Sequence, residues 1–300
     1  MSKVKITGHA SGSGTLTLTG PNTNSDRTIT LPDETGTVAL GVGISDSADA
    51  TAITIDSAEN VGIGVTPESW ISTYSTLQMG DSLALSARTT EDTVNLSNNA
   101  YADSVDSRWE YIGANGSSEA ALLVLDNGGK FVFRTAPAGA ADAEITWTTA
   151  MSIDNDGYVT MPLQPAFQVT LGSDQSNFAH GSDVLITFDS EVFDQNSDFS
   201  SNTFTAPVTG KYQFNLVIRC ESVDTAPAYY QFKIVTSNRT YETTYAPKFS
   251  SDPAYFNFNF SILADMDASD TCTAKVHQHA GGTAQSDINS SSYFTGHLVC

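Results

Sequence analysis

The sequence predicts an all-β protein, and three observations support this. Lys and Arg number only 13 among 300 residues, so the charged residues from which long amphipathic helices are built are scarce. Apolar and polar residues alternate in many short runs, as they do in strands with one buried face. Gly, Asn, Asp and Ser, which turns favour, separate these runs. We therefore expect short strands joined by turns.

The net charge of −21 limits the classes of partner. Nucleic-acid binding depends on Lys and Arg that release counterions from phosphates, so we expect no nucleic-acid partner. The start MSKVKITGHASG lacks the apolar run of a signal peptide. No segment approaches the roughly 18 apolar residues of a membrane span. We expect a protein that is made in the cytoplasm and inserts into no membrane.

The three cysteines are Cys220, Cys272 and Cys300. An odd number without metal-ligand spacing predicts neither a disulfide framework nor a zinc site. Cys220 and Cys272 alternate with apolar neighbours, so we expect two buried free thiols and an exposed Cys300.

The first 165 residues divide around an internal repeat. Residues 1–45 contain two thin alternating runs that would be marginal as a lone hairpin, so they need neighbouring chains. Ile-Asp followed by Val occurs in residues 46–68 and again in residues 151–165, and each copy predicts a hairpin. The copies bracket a β-rich module at residues 69–150, whose core we expect to contain Trp70, Trp109 and Trp147.

Residues 166–300 contain longer strands with more aromatic residues. About ten strands in this length predict a two-sheet jelly-roll sandwich. We expect strands at 166–171, 183–188, 211–220, 228–235, 240–245, 254–263, 271–279 and 292–299, with shorter pieces near Phe193 and Phe204.

Residues 166–300 resemble the complement subcomponent one-q and tumour necrosis factor family. The motif Phe-Thr-Ala-Pro-Val-Thr-Gly-Lys-Tyr-Gln-Phe at 204–214 carries the resemblance, as does Ser-Tyr-Phe-Thr-Gly-His-Leu-Val at 292–299. Phe188, Asp194 and Phe199 also match the family pattern. The resemblance implies a ten-stranded jelly roll that assembles as a homotrimer.

The remaining sequence resembles bacteriophage tail fibre proteins, in residues 54–65, 106–112, 134–154 and 161–167. This resemblance implies a trimeric fibre whose N-terminal end attaches to another virion protein and whose C-terminal knob touches the host. A host surface glycan or protein would be the ligand, and the virion would be the location. A capsid decoration or head fibre has the same sequence signature and stays an alternative.

We expect no enzymatic activity and no cofactor. A polysaccharide depolymerase, the remaining alternative, would need two carboxylates at a fixed separation. No sequence motif distinguishes such a pair among the 34 acidic residues. No Gly-x-Ser-x-Gly motif is present either. His277 and His279 have the spacing to share a metal ion, although an exposed polar strand face explains them as well. Weak candidates for a divalent-cation site are Asp265, Asp267 and Asp270.

Host contact is expected on the loops at the end of the knob farthest from the virion, because binding residues concentrate on loops held by a rigid scaffold. The loops richest in aromatic and polar residues are 221–228, 237–239, 245–255 and 280–291. Candidates for receptor binding are Tyr245, Lys248, Phe249 and Tyr255, and the alternative is that Phe249 and Tyr255 pack the sandwich edge. Candidates for the trimer core are Tyr230, Phe232, Phe256, Phe258 and Phe260.

Overall fold

The computed structural model describes residues 52–113, 118–246 and 248–300. Every regular element in these ranges is a strand, so the all-β prediction is confirmed. The strands predicted within residues 1–45 lie outside the described residues. Across the described ranges, no helix is long and apolar enough to cross a membrane.

The described residues from 53 to 160 form a nine-stranded sheet and a small two-stranded one. The large sheet has the order β1-β2-β3-β4-β5-β8-β9-β10-β11, and β6 pairs with β7. All pairs are antiparallel except β2 with β3. The strands are β1 (Ile53–Ile55), β2 (Val61–Ile63), β3 (Tyr74–Met79), β4 (Leu83–Arg88), β5 (Val94–Asn98), β6 (Tyr101–Ala102), β7 (Trp109–Glu110), β8 (Ser118–Leu125), β9 (Phe131–Gly139), β10 (Thr148–Ile153) and β11 (Val159–Thr160).

Three hairpins of the large sheet have the same aspartate turn. The predicted hairpins of the repeat are confirmed as β1-β2 and β10-β11, and β8-β9 adds a third copy. In each turn, one carboxylate oxygen of Asp56, Asp126 or Asp154 accepts two backbone N–H groups. The fourth residue of each turn has a positive φ: it is Glu59 in the first copy and glycine in the other two.

One face of the large sheet packs on segments of its own chain. Small and polar side chains of this face are buried, among them Gln78, Ser86, Asn95 and Ser97. The covering segments form two clusters around tryptophans, and the ring of Trp109 lies 6.3 Å from that of Trp70 and 6.0 Å from that of Trp147. The predicted tryptophan core is therefore confirmed.

The opposite face of the large sheet, here called the apolar sheet face, carries large apolar side chains that face outward. Strand register places six of them in one row across β3, β4, β5, β8, β9 and β10. The row consists of Leu77, Leu85, Leu96, Leu123, Phe133 and Met151.

The remaining strands form a two-sheet sandwich. One sheet has the order β14-β12-β23-β17-β20, with β22 beside β17, and the other has the order β15-β16-β21-β18-β19, with β13 beside β21. The strands are β12 (Ala166–Thr170), β13 (Asp183–Leu185), β14 (Ser190–Asp194), β15 (Phe199–Ser200), β16 (Thr203–Thr205), β17 (Gly210–Glu221), β18 (Tyr230–Thr236), β19 (Thr240–Tyr245), β20 (Tyr255–Met266), β21 (Thr271–Gln278), β22 (Asp287–Ile288) and β23 (Tyr293–Leu298).

The inward side chains of both sheets form one continuous core. Strand β17 alternates strictly, and its inward residues Tyr212, Phe214, Leu216, Ile218 and Cys220 are buried. Cys220 and Cys272 are buried free thiols, and Cys300 is a free exposed one, as predicted. Burial raises the pKa of both buried thiols.

The sandwich has two distinguishable ends. The chain enters at Pro165, and Gly210, Met266 and Leu298 lie at this near end. Glu221, the last residue of β17, pairs with Tyr255 and Asp287 at the opposite, far end.

Candidate functional site

Three loops meet at the far end of the sandwich. They comprise residues 222–229, 246–254 and 279–292, and each adjoins or contains one of the paired residues Glu221, Tyr255 and Asp287. Backbone hydrogen bonds join the first two loops, because Ser222 donates to Ala254 at 2.9 Å and Val223 to Pro253 at 3.2 Å. The far end is therefore one assembled surface.

Asp224 joins the first loop to the third. Its side chain is buried, and one carboxylate oxygen accepts the Thr283 N–H at 2.6 Å while the other accepts the Ala226 N–H at 2.8 Å. The Tyr230 hydroxyl donates to the Asp224 carbonyl at 2.8 Å and lies 2.9 Å from the Ser286 hydroxyl. A buried carboxylate with full hydrogen bonding fixes both loops in place.

Asp252, an exposed residue of the second loop, bonds to the other two. It accepts the Thr225 hydroxyl at 2.6 Å and the Gln285 side-chain amide at 2.9 Å. These bonds, the one from the Thr225 side chain first, lower the pKa of Asp252 because they favour its charged form. Each pair of loops is thus linked directly.

The far end presents exposed aromatic rings and cations. Tyr255 is 65% exposed, and the Arg219 guanidinium lies 5.3 Å from the centre of its ring. Phe249 is exposed along one side and packs at 5.4 Å from the Phe256 ring. Lys248 is exposed and has no ion-pair partner among the described residues. These groups can bind a partner through ring stacking and charge.

A second aromatic group lies on the outer face of β21. The rings of Tyr229 and His279 stack at 4.4 Å, and His277 Nδ1 lies 3.0 Å from an oxygen of Asp183. The ring centres of the two histidines are 6.5 Å apart. Burial acts to raise the pKa of Asp183, but the neighbouring Lys233 and His277 outweigh it and lower the pKa.

The family model of the C1q domain matches residues 166–299. Residues 166–299 form a C1q domain. Domains of this kind have the jelly-roll fold shared by C1q and tumour necrosis factor proteins, are generally binding modules and form homotrimers.

Two similar solved structures each match 45% of the chain. The globular domain of zebrafish complement 1qA has 18% identity and a TM-score of 0.33, and the match covers 45% of this chain and 98% of that one. Murine APRIL at pH 8.5 has 9% identity and a TM-score of 0.33, with 45% and 99% covered. No curated protein matches the chain.

The residues that carry the family resemblance lie in the core of the C1q domain. Phe188, Phe199, Phe204, Tyr212 and Phe214 are all buried. The Asp194 carboxylate accepts the N–H groups of Asp198 at 3.1 Å and Phe199 at 2.9 Å, which shapes the loop before β15.

The C1q domain brings the four predicted contact residues to the far end, with different exposures. Lys248, Phe249 and Tyr255 are exposed. Tyr245 is half-buried, with its ring 5.0 Å from Phe256, so it mainly supports the others. Sequence reasoning missed Arg219, whose outward position on β17 follows from the alternation of that strand.

Two sequence predictions about the C1q domain are wrong in part. Loop 237–239 lies at the near end, because β18 and β19 form a hairpin whose turn is there and Asn238 bonds to Asp270 at 2.6 Å. Tyr230 and Phe232 are enclosed within their own sandwich, so their side chains offer no surface to another copy.

The other three candidates for the trimer core lie along β20. Phe258 is also buried, and its ring centre lies 4.1 Å from that of Phe232. Phe256 and Phe260 are half-buried at the edge of the sandwich, where surface remains for contact with another copy.

The predicted cation candidates are not brought together. Asp265 pairs with Lys211, and Asp270 accepts the Asp267 N–H at 2.8 Å. Elsewhere in the described residues, the acids Asp103, Asp106 and Glu110 lie close enough to share an ion. Arg108 already occupies that position, however, at 3.0 Å from Asp106 and 2.8 Å from Glu110.

Proposed function

We propose that the chain is a homotrimeric fibre protein of a bacteriophage virion, which adheres to the host cell surface through the far end of its C1q domain. The observation that carries the proposal is three interlinked loops presenting two exposed aromatic rings and an exposed lysine. The resemblance of residues 54–65 and 106–112 to phage tail fibre proteins supports the virion assignment. On this proposal the chain is made in the bacterial cytoplasm, and its N-terminal residues bind another virion protein.

The far-end groups suit a host surface glycan or an acidic protein. Exposed tyrosine and phenylalanine rings stack on sugar faces or anchor in protein pockets, and a lysine favours an anionic ligand. The chain carries only 13 cations against 34 acids. Exposed cations are therefore scarce on this surface, and Lys248 is one of them.

The outward face of the β17–β20 sheet supports the homotrimer. Its middle is uncharged and mostly polar, in a chain whose net charge is −21, and includes Gln213, Asn215, Asn259 and Ser261. Like charges across an interface are costly, so an uncharged face lets acidic copies meet. We assign the contact between C1q domains to this face.

Binding of the full chain to bacterial cells tests the adhesive function. The protein, labelled at the exposed Cys300 of the near end, is titrated onto a panel of strains and cell-bound fluorescence is measured. Tyr255→Ala and Lys248→Ala should each weaken binding at least about tenfold, which corresponds to roughly 1.4 kcal/mol.

Matched controls lie far from these loops. Tyr158 is 70% exposed, much like Tyr255, and Lys130 is an exposed lysine, so Tyr158→Ala and Lys130→Ala should bind as the unchanged chain does. A folded trimer that binds no strain and does not block phage adsorption would sink the adhesive function and favour a capsid decoration fibre. Release of oligosaccharide from host polysaccharide would favour a depolymerase.

A further inference from the structure

The apolar sheet face has no partner within the described residues. Leu85, Leu96 and Phe133 lie in its central row and are all exposed, at 47%, 43% and 36%. Leu125 and Phe131 add a second exposed pair beside them. Burial of each such side chain would contribute about 1.5–3 kcal/mol to stability. Leaving the whole face in water is therefore unfavourable.

The chain's own segments have already covered the other face. On β4 and β5 the strand alternation is inverted relative to an ordinary half-buried sheet: Ser86, Asn95 and Ser97 point to the covered side, and Leu85 and Leu96 point outward. In a sheet with water on one face, the apolar residues point to the core. The inversion indicates that a second hydrophobic contact forms on the outer side.

The size of the apolar sheet face matches a stable protein interface. Nine strands spaced about 4.8 Å apart span roughly 40 Å, and about three outward residues per central strand extend it by roughly 15–20 Å. The resulting footprint of about 700 Å² is close to the roughly 800 Å² that each partner buries in a standard interface. It exceeds the few hundred Å² of apolar patch usual on monomers.

Charge identifies the partner as further copies of this chain. Glu119, at one margin, is the only charged residue among the described residues of the face, although the chain carries 34 acids. Copies at −21 each can meet on such a face without opposing like charges. The C1q domain follows on the same chain, so its association would hold three such faces at high effective concentration.

We propose that the apolar sheet face packs against the same face of the other two copies, forming a second interchain core separate from that of the C1q domains. This inference rests on the homotrimer of the proposed function. It assigns the interchain contact of residues 52–160 to one defined face.

Cross-linking of the full chain tests the proposal. Leu96→Cys lies at the centre of the face, and Val105→Cys, at an 81% exposed position in a loop on the covered side, is the matched control. Both are made with Cys300→Ser, and the buried Cys220 and Cys272 stay silent. Oxidation with copper phenanthroline, which needs no room for a linker, should join two Leu96→Cys copies of each trimer into disulfide-linked dimers on a non-reducing denaturing gel, because each chain then has one reactive thiol, and should leave Val105→Cys monomeric.

Sedimentation of the same samples separates the possible failures. A trimer in which Leu96→Cys is cross-linked no more than Val105→Cys overturns this inference and leaves the proposed function standing. Full reactivity of Leu96→Cys in the trimer toward a monofunctional maleimide also overturns it, since the face would then be open to solvent. A monomeric chain overturns both. Leu85→Cys, on the neighbouring strand, replaces Leu96→Cys if that variant does not fold.

Discussion

Gly282 shows how a single residue shapes the far end. Its φ is +91°, and a Cβ at this position would overlap the Asp224 carboxylate that joins two loops. Gly157, in an aspartate turn of the large sheet, has nearly the same φ of +87° but open space around it. Replacing each of these two glycines by alanine therefore distinguishes the effect of backbone strain from that of steric overlap.

Gly157→Ala should lower the free energy of unfolding by about 1–2 kcal/mol, because a residue with a side chain is strained in the left-handed backbone conformation. Gly282→Ala should lower the free energy of unfolding by about 1–3 kcal/mol more than Gly157→Ala does, because Asp224 must move and its buried hydrogen bonds are lost. Chemical unfolding measures both. On our proposal, cell binding falls for Gly282→Ala alone. Equal losses of stability would show that the loops do not depend on the Asp224 contact.

Strand β20 has two faces with different roles. Phe258 points into the sandwich, whereas Asn259 points outward on the uncharged face assigned to the contact between C1q domains. Adjacent residues of one strand therefore offer a matched pair of substitutions, each of which introduces the same charge.

Phe258→Asp should unfold the C1q domain, because an unpaired charge buried in its core is among the costliest single changes. Asn259→Asp should leave each copy folded but weaken the trimer, because three carboxylates then meet at the contact. Circular dichroism reports the fold, and sedimentation reports the assembly. A stable Asn259→Asp trimer would move the contact to another face.

Sequence pattern alone predicts the strands of the C1q domain well. Apolar residues point inward there, so the predicted strand at 211–220 is observed as Gly210–Glu221, and the one at 240–245 is observed unchanged. Strands β3 and β5 do not follow from this pattern, because their covered residues are polar and their apolar ones face outward.

The far-end loops were named individually from sequence, but their assembly was not predictable. The contact of Asp224 with Thr283 joins residues 59 positions apart, and that of Asp252 with Thr225 joins residues 27 apart. Such contacts follow from sheet topology, which local patterns do not specify.

The charge of the whole molecule should make its assembly sensitive to salt. A trimer triples the −21 of one chain, and mutual repulsion extends over about 30 Å at 0.01 M salt but only about 10 Å at 0.1 M. The melting temperature of the full chain should therefore rise between 0.01 M and 0.15 M sodium chloride, as measured by calorimetry.

Choline chloride is the control for this prediction, since screening depends on ionic strength and not on the identity of the cation. Equal rises with both salts are expected. No rise with either would contradict the role of repulsion, and a rise confined to micromolar calcium chloride would indicate a bound ion instead.

The order of strands in the two parts has a consequence for synthesis on the ribosome. In the large sheet, most neighbours are consecutive in sequence, so hairpins can form as they emerge. In the C1q domain, β23 (residues 293–298) lies between β12 and β17 in the sheet and pairs with both. A nascent chain therefore cannot complete this sheet until its last strand has been translated. Prematurely terminated chains would lack the central strand, and without a C1q domain they would be left out of the trimer.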